Sequence, residues 1–189
     1  VSTGTRVLLA EAAAVADSLA GLLTLACHRL EIAGSIRRGR PDVGDIEMVA
    51  VPILDIVPEG MFGERAVNRL TERVEELIDL GVLASHPTDP KRGERYSKLL
   101  HPGSGLQVDL FSAAPETFGL ILLIRTGPAA YSQRFVTEIR PRALHVAGGQ
   151  LHRGSLGCGF MPCEAVPTPE EADVYAAAGW PFREPEMRA

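Results

Sequence analysis

The chain is 189 residues long, enough for one sizeable core or for two small subdomains that share an interface. With 19 Lys+Arg against 24 Asp+Glu its formal net charge is −5, so the overall charge does not advertise a nucleic-acid partner. Three cysteines with no secretory pattern argue against a disulfide framework, and no apolar run approaches the ~20 residues of a membrane span, so the expectation is a soluble, cytoplasmic monomer with no membrane partner.

Residues 6–27 are rich in Ala and Leu and read as one helix with Arg6 at its start. A short strand is expected over residues 29–33, a break at Gly34 and Ser35, and a second strand over residues 45–51. A Gly-Ser turn opening a short helix presents backbone N–H groups and a hydroxyl, which together can cradle phosphate. Arg37 and Arg38 follow where they could clamp phosphate oxygens. On the second strand, period two sets Asp45 and Glu47 on one face and Ile46, Met48 and Ala50 on the other. Two adjacent carboxylates repel unless a cation lies between them, and hard oxygen donors at this spacing suit Mg²⁺. The same triplet also fits the wet face of an edge strand.

Pro52 and Pro58-Glu59-Gly60 punctuate a connection, after which a helix is expected from Met61 to Gly81, with Val67, Leu70, Val74, Leu77 and Ile78 on its buried face. Residues 82–86 form a candidate short strand. Residues 94–100 and 106–111 flank H-P-G-S-G as a hairpin whose second arm, L-Q-V-D-L-F, offers Asp109 as a third carboxylate beside Asp45 and Glu47. Lys98 on the first arm reads either as a contact to a primer strand or nucleotide or as an edge-protecting charge.

A second subdomain opens at Pro115, with one helix to about residue 124, a break at Arg125-Thr126-Gly127-Pro128, and another helix from Ala129 toward Leu144. Between Phe118 and Cys163 the only acid is Glu138, against Arg125, Arg134, Arg140, Arg142 and Arg153, so this segment either tracks a phosphate backbone or is a solvated helix face. A short strand is expected at Leu151-His152-Arg153. His145, His152, Cys158 and Cys163 match no standard zinc spacing. Thr168 offers an N-cap, with Pro169 and Glu171 completing a capping-box pattern, and Gly179 ends that helix before Trp180 and Phe182 pin the tail.

Taken together, G-S-I-R-R-G-R-P-D-V-G-D-I-E resembles the palm motif of the polymerase-beta-type nucleotidyltransferases, and the arginine pair with V-G-D resembles the X-family DNA polymerases in particular. Q-V-D-L-F resembles the family's third metal-ligand strand, and T-G-P-A-A-Y-S its Thr-Gly-Ser segment beside the nucleotide. The resemblance implies an α+β fold: a nucleotidyltransferase-type palm over residues 1–114, with a mixed β-sheet packed on helices, and a small, mainly helical thumb-like subdomain over residues 115–189. It implies an enzyme in which Asp45, Glu47 and Asp109 hold two Mg²⁺ ions, with Mn²⁺ able to substitute. Gly34, Ser35, Arg37, Arg38, Arg6, Arg125, Thr126 and Gly127 would bind the (d)NTP, and Lys98, Arg134 and Arg140 would meet primer-template or gapped DNA. The implied activity is gap-filling DNA synthesis by a minimal polymerase; the alternative is a template-independent nucleotidyltransferase acting on an RNA end, a small molecule or a protein. Glu47, Gln107, Ile124-Arg125, Pro128 and Ser132 depart from the family's usual residues, which leaves sugar selectivity and fidelity open.

Overall fold

The computed structural model describes residues 5–59, 63–154 and 163–188. Strand β1 (Val7–Leu8) runs directly into helix α1 (Leu9–Leu23), and a 3-10 turn (Thr24–Ala26) leads to β2 (Cys27–Ile32). The single-turn helix α2 (Gly34–Arg37) and β3 (Asp42–Val43) come before β4 (Asp45–Pro52). A hairpin of β5 (Leu54–Glu59) and β6 (Gly63–Asn68), helix α3 (Arg69–Asp79), β7 (Ala84–Ser85), β8 (Lys91–Gly93), β9 (Tyr96–His101) and β10 (Leu106–Ser112) complete the first part.

The main sheet has the order β2-β4-β10-β9-β7, with β8 also pairing β9. Only the central β4–β10 pair is parallel, so the sheet is mixed. Period two decides what each face carries. Ile46, Met48 and Ala50 of β4 join Leu106, Val108 and Leu110 of β10 in one buried cluster, covered by Ala12, Ala16, Leu19 and Leu23 of α1 and by Leu70, Val74 and Leu77 of α3. The opposite face carries Val49, Val51 and Phe111 toward one end, packed under Phe118 and Leu122. Toward the other end it carries Asp45, Glu47, Gln107 and Asp109.

The second part is built from a 3-10 turn (Pro115–Thr117), α4 (Phe118–Thr126), α5 (Ala129–Glu138), a second 3-10 turn (Arg140–Arg142), β11 (Leu144–Ala147), β12 (Gln150–Arg153), β13 (Glu164–Val166) and α6 (Glu171–Ala178). Its helices enclose a core of Leu120, Leu123, Tyr131, Phe135, Val174 and Tyr175. Strands β11, β12 and β13 add a three-stranded antiparallel sheet to this mainly helical unit. Gly119 lets α4 approach α6: a Cβ there would lie 2.1 Å from the Glu170 carbonyl carbon.

Several expected elements move. The first helix spans Leu9–Leu23 rather than residues 6–27, because Val7 and Leu8 pair with Val43 and Asp42 and Cys27 already belongs to β2. Leu9–Ala26 is long and apolar enough, at mean hydropathy 1.5, to pass for a membrane span by length and composition, contrary to expectation. Its buried stripe of Ala12, Ala16, Leu19 and Leu23 is packed in the sheet core. The helix expected from Met61 begins only at Arg69; Met61 itself lies outside the described residues, and residues 63–68 pair with β5 instead. Asn68 is the true N-cap, its side chain accepting from the backbone N–H groups of Leu70 and Thr71. Helix α5 stops at Glu138, short of Leu144, because Pro141 lacks the N–H that a continued helix requires. The last helix is capped by Glu170, which forms a capping box with Asp173. Thr168 is fully buried and instead bonds the start of α4, where its carbonyl accepts from Gly119.

Candidate active site

The parallel register sets Gln107 beside Asp45 and Asp109 beside Glu47, and the antiparallel register sets Lys98 against Asp109 and Tyr96 against Phe111. Asp45, Glu47 and Asp109 therefore share one face of two neighbouring strands, at the end that α4 leaves open. Asp109 is 8% exposed. Its Oδ1 accepts from the Tyr96 hydroxyl at 2.7 Å and its Oδ2 from Gln107 Nε2 at 2.8 Å, so both carboxylate oxygens are fixed. Tyr96 is itself held by stacking on Phe111, with ring centroids 4.8 Å apart.

Burial is the largest influence on Glu47, and repulsion from Asp45 and Asp109 adds to it, outweighing Arg125 and Arg38 to push the carboxyl up to about 8. Asp45 is raised for the same reasons, burial first and Asp109 second, with Arg38 and Arg6 pulling against them. Two acids raised by burial and by neighbouring carboxylates are a donor set that a hard divalent cation would relieve. The residues fit such a cation by chemistry. Among the described residues, however, no three His, Cys, Asp or Glu side chains are gathered closely enough to hold one metal ion. Glu47 is turned toward α2, where its Oε2 lies 2.3 Å from the position a Cβ would take on Gly34. Gly34 has φ +63, so that position favours glycine on backbone grounds as well.

Beside Asp45, the residues Arg6, Ser35, Arg38, Arg40, Asp42 and Gly44 line a pocket of ≈ 360 Å³. Arg6 also donates to the Asp42 carbonyl at 3.0 Å. The Ser35 Oγ and Arg38 Nε are buried without a hydrogen-bond partner among the described residues. Burial lowers the Arg38 guanidinium from its ordinary value and Arg40 adds to the lowering, with Glu47 and Asp45 opposing it. A second pocket, of ≈ 480 Å³, runs from Ser35, Arg38, Asp45 and Glu47 to Arg125, Gly127 and Ser132. On the other side of the acids, a groove of ≈ 890 Å³ extends from Glu47 and Asp109 past Tyr96 and Arg125 to Leu54 and Ala66 of the β5–β6 hairpin.

Other predicted residues are placed elsewhere. The Arg37 guanidinium turns inward, donating to Thr126 Oγ1 at 2.8 Å and pairing with Glu171 at 2.7 Å. Thr126 is fully buried, and its carbonyl accepts from Arg38, so of the Arg125-Thr126-Gly127 break only the flanking residues line the cleft. Arg125 lies over the Phe111 ring, 3.9 Å from its centroid. Lys98 faces the cleft side of β9 but donates to Asp89 at 3.0 Å. Arg134 lines a separate pocket beyond α5, and Arg140 is an exposed residue of the second 3-10 turn. Of the histidine and cysteine set, His145 and His152 stack across β11 and β12 with centroids 5.4 Å apart, and Cys158 lies outside the described residues.

Sequence reasoning missed Tyr96 and Arg40. The signal for Tyr96 was available: it is two residues before Lys98, hence on the same face of the hairpin arm as the residue opposite Asp109.

No family model matches the chain. It is 28% identical over 179 residues to DNA polymerase lambda of Rattus norvegicus, a match covering 89% of this chain and 29% of that protein. The chain thus spans under a third of that relative's length. This similarity supports a polymerase-beta-like relationship at the level of the family.

Proposed function

We propose that the chain is a nucleotidyltransferase of the DNA polymerase type, adding a nucleotide from a dNTP to a primer 3′-hydroxyl, with short gaps in DNA as its substrate. The observation that carries this reading is the face of β4 and β10 on which Asp45, Glu47 and Asp109 stand together beside the Arg6, Arg38 and Ser35 pocket. The similarity to DNA polymerase lambda supports the same class.

In this reading Asp45, Glu47 and Asp109 would hold two Mg²⁺ ions, or Mn²⁺ in their place, which when bound supply neutralisation of the triphosphate and acidification of the 3′-hydroxyl. The chain's own residues do the positioning. Arg6, Arg38 and the unpartnered Ser35 hydroxyl take the β- and γ-phosphate oxygens, with Arg40 at the rim. Gly127 and Arg125 border the sugar and base of the incoming nucleotide. Asp109 faces the primer end, its oxygens oriented by Tyr96 and Gln107. The bond from the 3′-oxygen to the α-phosphorus forms as the hydroxyl gives up its proton to water and the bond from that phosphorus to the bridging oxygen breaks. Pyrophosphate leaves on the arginine side.

The test is extension of a labelled primer on one-nucleotide-gapped DNA with each dNTP and rNTP, in Mg²⁺ or Mn²⁺, with Asp45→Ala as the blank. Templated addition lost in the variant is the expected result. Addition without regard to template would replace the reading with a template-independent transferase, and absence of any addition would overturn it.

A further inference from the structure

Helix α5 faces two cavities. Ala129, Ser132 and Gln133 line the pocket that reaches Asp45 and Glu47. Tyr131, Arg134, Phe135 and Glu138 recur at helical spacing on another face, and with Tyr175, Trp180 and Arg183 they enclose a separate pocket of ≈ 440 Å³. Its walls are aromatic: Phe135 meets Trp180 edge-on at 5.2 Å and Tyr175 at 6.0 Å between centroids. The Tyr131 and Tyr175 hydroxyls bond each other at 2.7 Å and both rings are buried, which leaves the partly exposed Trp180 as the accessible ring of the pocket.

The rim is cationic. Arg134 and Arg183 hold their guanidinium carbons 5.7 and 5.9 Å from the Tyr131 ring centroid, and Arg142 sits 5.3 Å from that of Trp180. Arg140 lies exposed one residue before Pro141. Among the described residues the one carboxylate lining the pocket is Glu138, 4.0 Å from Arg134. Among the described residues Arg140, Arg142 and Arg183 have no ion-pair partner. In a chain of net charge −5, Arg134, Arg142 and Arg183 set around this aromatic cluster constitute a local field that the total charge conceals.

We propose that this pocket anchors single-stranded DNA, holding an unpaired strand beside the catalytic cleft on the far face of α5. An unstacked base finds its aromatic partner in the partly exposed Trp180, while the arginine rim takes the phosphates. A duplex keeps its bases stacked on each other and cannot offer a free face to such a pocket. Three guanidinium groups, on Arg134, Arg142 and Arg183, suit a strand of several phosphates rather than a lone nucleotide. The biological sense of the anchor rests on the DNA reading of the cleft; its test does not.

Trp180 is the single tryptophan of the chain, so its fluorescence reports on this pocket alone. The experiment titrates the protein with short oligothymidylate, without divalent metal or dNTP. Saturable quenching is expected, weakening with salt. Arg134→Glu combined with Arg183→Glu should raise the apparent Kd at least about ten-fold and reduce the salt slope by roughly 1.4, about 0.7 per lost phosphate contact. Both side chains are exposed, so the fold should survive, as checked by melting temperature; if it does not, Arg142→Glu carries the same test. Quenching that persists unchanged in the variant overturns the proposal, as does equal quenching by thymidine monophosphate at the same concentration, which would mark a mononucleotide site. Asp45→Asn should leave quenching intact. Quenching without primer extension would therefore fail the cleft reading alone, and extension without quenching would fail the anchor alone.

Discussion

At the scale of single residues, the cleft depends on one hydrogen bond and one close approach. The first is the hydrogen bond from Tyr96 to Asp109 at 2.7 Å. Tyr96→Phe keeps the stacking on Phe111 but frees one carboxylate oxygen, and orienting contacts of this kind are worth about 10–100-fold in activity. Steady-state primer extension should show kcat down by about ten-fold with the dNTP KM little changed; an unaltered kcat would remove Tyr96 from the machinery. The second is the space above Gly34. Gly34→Ala places a methyl group against Glu47 Oε2 at a positive φ, so it should cost about 1–2 kcal/mol in urea unfolding and most of the activity. Gly39 makes the control, since its φ is +64 but nothing lies within 4 Å of its Cβ position. Gly39→Ala should show the backbone penalty without the catalytic loss.

At the scale of elements, strands β4 and β10 were legible because alternation writes a buried strand's two faces directly into residues 45–51 and 106–111, and the candidate acids fall on one of them. The β5–β6 hairpin was not legible, because Val67 continues the helical spacing of Leu70 and Val74 and so disguises a strand as a helix start. Arg37 illustrates a different limit. Its neighbours suggest a phosphate clamp, but its partner Glu171 comes from α6, and nothing local announces a contact so distant in sequence. Glu171 is buried between Arg37 and the fully buried Arg188, at 2.7 and 2.6 Å. Burial alone would raise the Glu171 carboxyl, yet the hydrogen bonds from Arg37 and Arg188 outweigh it and hold the group below the usual glutamate range. A depressed folded-state pKa contributes stability above the unfolded value, and that stability is lost as pH falls through the folded value. Glu171→Gln should therefore destabilise by about 3–5 kcal/mol near pH 7, and the gap from wild type should narrow as the pH drops below about 4. Urea melts of both proteins across pH give the answer; a gap that widens on acidification would contradict the assignment.

At the scale of the whole molecule, three apolar clusters among the described residues divide the labour. One joins the sheet to α1 and α3, one lies among α4, α5, α6, β11 and β12, and the third, around Val49, Phe111 and Phe118, fastens these two parts across the same sheet face that carries the acids. Arg29 reinforces the third, over the Phe118 ring at 4.1 Å and paired with Glu170 at 2.6 Å. The cleft is thus the part of that face which the interface leaves uncovered, and its carboxylates are kept together by packing that they oppose. Such a site should be least stable when empty of cations. Asp45→Asn removes one of the repelling charges while keeping the side chain's shape, so the metal-free variant should melt above metal-free wild type even as it loses activity. Mg²⁺ should reverse the order. A cation that binds only the folded state adds about 2.7 kcal/mol at a hundred times its Kd, which for a chain of this size raises Tm by roughly 5–10 °C. Scanning calorimetry of both proteins across a Mg²⁺ series, with a Mn²⁺ series beside it, would reveal this crossing. If wild type and Asp45→Asn respond alike to both cations, these acids do not bind them, and the repulsion across β4 and β10 must be relieved by protonation instead.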